Sequence, residues 1–150
     1  MSDKNEIIPI ASDHAGFEMK KYLISKLRED GYEVKDYGTY SAESVDYPDF
    51  IHPLANDINS GIYKRGIIMC GSGNGSQMVA NKYPNVRAAL CWSEEIAKYA
   101  RLHNDANIIS LPGRFIEFEL AYKLVKIFFN TEFEGGRHVR RIGKISQTLC

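Results

Sequence analysis

Five short apolar runs punctuate this chain, and stretches with helical spacing lie between and after them. The runs are Ile7–Ser12 (IIPIAS), 32–37 (YEVKDY), Gly66–Cys70 (GIIMC), 86–92 (VRAALCW) and 107–111 (NIISL). Phe17, Met19, Leu23, Ile24 and Leu27 recur at i+3/i+4 spacing within 15–30, and Ile51, Leu54, Ala55 and Ile58 do so within 50–60. A short helix is expected after the glycines of 71–75, stopping near Tyr83 before Pro84. Another starts at the Ser93 cap, with Glu94 and Glu95 in its first turn, and ends near His103. Leu120, Leu124, Ile127 and Phe128 stripe a long helix over 116–130, and the basic segment 137–146 also reads as helical. Residues 39–48 read as a polar loop. Pro9 suggests an imperfect ladder in the first strand.

Strands that alternate with helices imply βαβ units and a parallel sheet. Right-handed crossovers then place helices on both faces. The expected fold is α/β, a three-layer doubly wound, Rossmann-like domain with a five-stranded parallel sheet. No repeat or linker divides residues 1–150, so a single domain is expected.

Lysine plus arginine and aspartate plus glutamate both total 19, a net charge of zero. That argues against nucleic acid as a partner and leaves copies of the chain free to associate. No apolar run approaches the roughly 20 residues of a membrane span, and the polar start carries no signal-peptide core. Cys70, Cys91 and Cys150 are an odd, widely spaced set, which argues against a disulfide framework. A soluble, cytoplasmic protein is expected.

In open parallel sheets ligands bind at the carboxyl ends of the strands. The polar stretches expected to meet on that rim are Ser12-Asp13-His14, Asp46-Tyr47-Pro48, Cys70-Gly71-Ser72-Gly73-Asn74-Gly75, His103-Asn104-Asp105 and Pro112-Gly113-Arg114. Glycines between a buried strand and a helix start bring backbone N–H groups close to an anion. The loop lacks the lysine of a P-loop, and Ser76 replaces the third glycine of a dinucleotide fingerprint. Cys70, beside a helix start, reads either as a reactive thiolate or as an inert buried thiol; Cys91, in mid-strand, reads as inert. His14 and His103 sit at element ends, where proton exchange is available. Arg137 and Arg141 share a helix face at i, i+4 and suit a phosphate, or else form a solvated tail. No H-x-x-x-H or C-x-x-C spacing is present, so no metal is expected.

Six stretches, Ser12-Asp13-His14-Ala15-Gly16, Asp46-Tyr47-Pro48, Cys70 through Gly75, Ala80-Asn81-Lys82, Arg101 through Asp105 and Glu134-Gly135-Gly136-Arg137-His138, follow one another in order. Together they resemble the ribose-5-phosphate isomerase B family, which also holds galactose-6-phosphate isomerase subunits. The resemblance spans about Ile8 to Ile145. It implies a cofactor-free interconversion of ribose 5-phosphate and ribulose 5-phosphate in the pentose phosphate pathway. Cys70 would move a proton between C1 and C2, and Gly71, Ser72, Gly73, Asn74 and Gly75 would hold the enediolate. His103 would open the sugar ring with Asp13 as its partner, and Asn104 would bind hydroxyls. His14, Arg114, Arg137 and Arg141, with Tyr47 nearby, would cradle sugar and phosphate. The site would be a cleft shared by a homodimer, alone or as a dimer of dimers. Some relatives carry a glutamate base where Ser76 stands and lack the cysteine; Cys70 with Ser76 implies the thiolate version. A hexose-6-phosphate isomerase (allose or galactose 6-phosphate) and a non-catalytic phosphosugar-binding module are the alternatives.

Overall fold

The computed structural model describes residues 4–147; the expectation for Cys150 lies outside them. The strands are β1 (Ile7–Ser12), β2 (Glu33–Asp36), β3 (Gly66–Cys70), β4 (Ala88–Leu90) and β5 (Ile108–Pro112). They pair only in parallel, in the order β2-β1-β3-β5-β4. The helices are α1 (Phe17–Glu29), α2 (Tyr47–Asn59), α3 (Asn74–Ala80), α4 (Glu94–Leu102), α5 (Phe118–Asn130) and α6 (Arg137–Gly143). This is the α/β, five-stranded parallel architecture expected from the alternation of periods. No helix of the described residues is long and apolar enough to cross a membrane.

The central strands β3 and β5 are buried at every position, as a parallel sheet covered on both faces requires. Ile8, Ile10, Ile67, Met69, Ile109 and Leu111 point to one face and pack with α1, α4 and α5. Ala11, Ile68, Ala88 and Ile108 point to the other and pack with α2 and α3. Pro9 has no N–H to give, and the β1–β3 ladder begins only after it, at Ile10↔Ile67. Gly66 faces Pro9, where a methyl group would lie 3.2 Å from the proline ring.

Three of the boundaries that differ from the periodicity have a local cause. Asp13 Oδ1 accepts the Ala15 and Gly16 N–H groups, so one 3-10 turn (His14–Gly16) precedes α1. Helix α2 starts at Tyr47, three residues before the apolar stripe, because Pro48 suits a first turn, where its fixed φ and missing N–H cost nothing. Strand β4 is only three residues long. It is an edge strand, and the Asn81 side chain takes the place of a further neighbour by accepting Ala88 N–H at 2.7 Å and donating to Ala88 O at 3.0 Å.

The register sets two rims. Gly66 pairs with Ile108 and Cys70 with Pro112, so the starting ends lie together and the finishing ends lie together. At ~3.3 Å per residue the two rims are about 13 Å apart along β3.

Lys20 of α1 is fully buried, and its ammonium lies 2.8 and 3.0 Å from the two oxygens of Asp36 at the end of β2. The same carboxylate accepts Gly38 N–H at 2.8 Å. Removing one partner of a fully buried pair costs about 3–5 kcal/mol; with the Asp36 side chain 29% exposed, the expected loss for Lys20→Ala is about 2 kcal/mol in urea unfolding. The Lys20→Met/Asp36→Asn double variant should recover most of it. A loss no larger than that of the exposed Lys21→Ala would contradict a structural role for this pair.

Candidate active site

The finishing ends of β1, β3 and β5 build one cluster. Cys70 closes β3; it is 5% exposed, yet it belongs to neither apolar layer. Beyond it the ladder continues through the turns: Gly113 N–H donates to Cys70 O and Arg114 N–H to Gly71 O, both at 2.9 Å. A methyl group on Gly71 would lie 3.3 Å from an Arg114 guanidinium nitrogen and 3.7 Å from Ala15 Cβ. The cation therefore lies against the loop mouth, beside the turn after β1. A methyl group on Gly75 would sit 2.6 Å from the Tyr47 ring, so the first residue of α2 packs directly on the glycine loop. His14 Nδ1 accepts Val45 N–H at 3.1 Å, which leaves Nε2 as the donor of a neutral ring. Asp13 is buried and spends Oδ1 on the Ala15 and Gly16 N–H groups, at 3.0 and 3.3 Å.

The glycine loop is held rigidly. Gly73 has φ 79°, and a methyl group there would meet Leu90 Cδ1 at 2.5 Å and the Leu111 backbone at 3.1 Å, so only glycine fits. The buried hydroxyls of Ser76 and Ser110 are 2.7 Å apart, and each reaches Gly73 O, at 3.1 and 2.8 Å. Each carries one proton, so one hydroxyl donates to Gly73 O and the other to its neighbour. Ser72 Oγ accepts the Asn74 N–H and side-chain amide, both at 3.2 Å, which keeps its own O–H free to donate. Cys91 differs from Cys70: it is part of the apolar layer, and burial pushes its thiol up to about 12.

The remaining expected residues lie on the opposite rim. Helix α4 runs back against its strand, so its C-terminal end returns to the starting rim, just before Ile108. The expectation that 103–105 join the other four stretches is therefore corrected, and the Asp13–His103 pairing does not form within one chain. The buried Arg101 guanidinium binds Asp105 at 2.8 Å, Ala106 O at 2.6 Å and Thr131 O at 3.0 Å. Asp105, at φ 45°, turns the chain and presents His103 and Asn104. Glu134 N–H donates to Leu102 O at 3.0 Å, which brings the 134–138 segment onto His103. His103 Nε2 is 3.8 Å from the Glu134 carboxylate, and its ring stacks on His138 with centroids 4.4 Å apart. His138 is buried; burial, then the neighbouring His103 and Arg137, hold its pKa below the ordinary histidine value. Arg137 and Arg141 are exposed one turn apart on α6. Glu134 and His138 carry no expected role from spacing; residues 31 and 35 positions beyond His103 meet it only through tertiary folding.

The chain matches the family model described as Ribose/Galactose Isomerase over residues 8–145. It is 37% identical to Ribose-5-phosphate isomerase B of Escherichia coli (strain K12), over 93% of each chain. A crystal structure of a ribose 5-phosphate isomerase from Thermotoga maritima superposes with TM-score 0.93 at 50% identity, covering 95% of this chain and 99% of that one. A Ribose-5-phosphate Isomerase B from Mycoplasma genitalium, solved with bound ribulose-5-phosphate, superposes with TM-score 0.91 at 40% identity over 97% of each chain. The match covers the glycine loop and the elements of both rims, and the chain belongs to the ribose/galactose isomerase family.

Proposed function

We propose that the chain interconverts ribose 5-phosphate and ribulose 5-phosphate through an enediolate, with the Cys70 thiolate as base, in clefts built by two copies. The observation that carries this reading is the seating of Arg114, Tyr47 and Cys70 on one glycine loop. An anion anchor, an aromatic wall and a nucleophilic atom on a rigid turn are what isomerisation of a small phosphosugar needs. The relative solved with ribulose-5-phosphate supports the substrate class.

The chemistry is internally balanced and needs no redox partner. Cys70 takes the C2 proton of the open-chain aldose, the electron pair forms the C1–C2 double bond, and charge collects on O1. Glycine-loop amides and the free Ser72 O–H donate to the enediolate. The O2 proton passes to O1, the thiol returns its proton to C1, and the ketose results. Ser76 has its hydroxyl tied into the Ser110–Gly73 cluster, which supports Cys70 rather than position 76 as the base. Ring opening needs an acid at the ring oxygen and a base at the C1 hydroxyl. His103 of a second copy supplies the first and Asp13 the second. Asn104, Arg137 and Arg141 travel with His103 and add hydroxyl and phosphate contacts to those of His14, Tyr47 and Arg114. The remote phosphate contacts hold the reacting carbons in place.

Three outcomes are expected. Purified protein turns over ribose 5-phosphate, and Cys70→Ala lowers kcat by about 10³-fold, within the range of a lost general base, while substrate affinity stays within a few-fold; full activity in that variant contradicts the assignment. In peptide mapping after iodoacetamide at pH 7, Cys70 is labelled at least about tenfold faster than Cys91, whose thiol stays protonated far above that pH; equal rates contradict an activated Cys70. Ribulose 5-phosphate cannot close a ring through its phosphorylated O5, so His103→Asn should slow ribose 5-phosphate at least about tenfold more than ribulose 5-phosphate. Equal losses would remove the ring-opening role.

A further inference from the structure

We propose that His103, Glu134 and His138 form a divalent-cation site of the zinc class, which blocks the isomerase when filled. Among the described residues these three side chains each offer one ligand atom, and the three atoms lie within 4.8 Å of one another. A second observation points the same way: His138 is only 5% exposed, and its Nε2 has no hydrogen-bond partner among the described residues. A buried imidazole nitrogen left unpaired is costly unless something binds it. Two imidazoles and one carboxylate are the three-ligand set of open zinc sites, with a fourth position left for water. Hard, oxygen-preferring cations such as magnesium suit this set poorly.

The geometry needs a small closure. Zinc–ligand bonds of about 2.0–2.1 Å place tetrahedral ligand atoms about 3.3 Å apart. His103 and Glu134 can supply the movement, since their side chains are 38% and 51% exposed. The His103 ring fans out of its stack so that its nitrogen, rather than its face, meets the ion. His138 stays fixed by its burial in α6. The block on catalysis rests on the isomerase reading, because a His103 nitrogen bound to the ion cannot take up a proton, so the ring can no longer act as an imidazolium acid toward a ring oxygen; the binding itself does not rest on it.

The test is Co²⁺ and Zn²⁺ titration of the full chain carrying Cys70→Ala, so that the active-site thiol cannot bind the metal. One ion per chain, tetrahedral Co²⁺ absorption bands and displacement by Zn²⁺ are expected. Glu134→Gln and His138→Gln, each in the same background, should weaken binding at least tenfold; the exposed Glu134 variant keeps the test valid if the His138 variant fails to fold. In the chain with Cys70 intact, Zn²⁺ should inhibit ribose 5-phosphate turnover, reversibly by EDTA. Binding weaker than millimolar, or equal in the Glu134→Gln variant, overturns the site. Binding as expected with turnover untouched keeps the site and overturns its inhibitory role; a chain with no turnover at all, yet binding metal, contradicts the isomerase reading instead.

Discussion

The parallel register of β3 against β5 decides which side chains can meet. Pairing Gly66 with Ile108 and Cys70 with Pro112 sorts every loop onto one of two rims. Cys70, the glycine loop, Asp13, His14, Tyr47 and Arg114 fall on the finishing rim. His103, Asn104, Arg137 and Arg141 fall on the starting rim. A change in strand pairing would move a reactive group to the other end of the sheet. The two residue groups are thus consequences of topology, and their separation follows from the length of a five-residue strand.

The rigidity of the glycine loop comes from packing and hydrogen bonds on its buried side. Gly73 occupies backbone space open only to glycine. The Ser76–Ser110 pair anchors its carbonyl from beneath, and the Leu90 and Leu111 contacts close the sides. A loop held in this way keeps its N–H groups in place before any anion arrives, the preorganisation on which the proposed enediolate stabilisation depends. The group around His103 is organised by charge. Arg101 and Arg87 converge on the Asp105 turn, and Arg101 also holds the Thr131 carbonyl, so the end of α4 is tied to the segment leading to α6.

Strands Ile7–Ser12 and Gly66–Cys70 are legible to the residue because both are apolar runs that end abruptly at turn chemistry. The limits of β4 are not, since a side chain, Asn81, decides where pairing stops. The start of α2 is hidden because Tyr47 is held by a glycine 28 positions away rather than by its own helix stripe. Tyr47, His14 and Arg114 are visible as candidates by their place at element ends. The rim of His103 is not legible in the sequence, because a residue that ends a helix lies opposite one that ends a strand, and spacing alone does not track that reversal. Glu134 and His138 have no local pattern; only the packing of the 134–138 segment on α4 brings them to His103.

With Cys70 and His103 on opposite rims, the proposed reaction needs a cleft built by two copies, and subunit complementation distinguishes that cleft from a one-chain site. Cys70→Ala and His103→Asn are each purified, found inactive on ribose 5-phosphate, then unfolded and refolded together in equal amounts. Half of the dimers are then hybrids, and each hybrid has one cleft with both defects and one with neither. A two-copy cleft predicts recovery to about a quarter of the unmodified activity. A mixture that stays as inactive as its parts, although hybrids are present by native mass spectrometry, would place both residues in the same chain's cleft and contradict it.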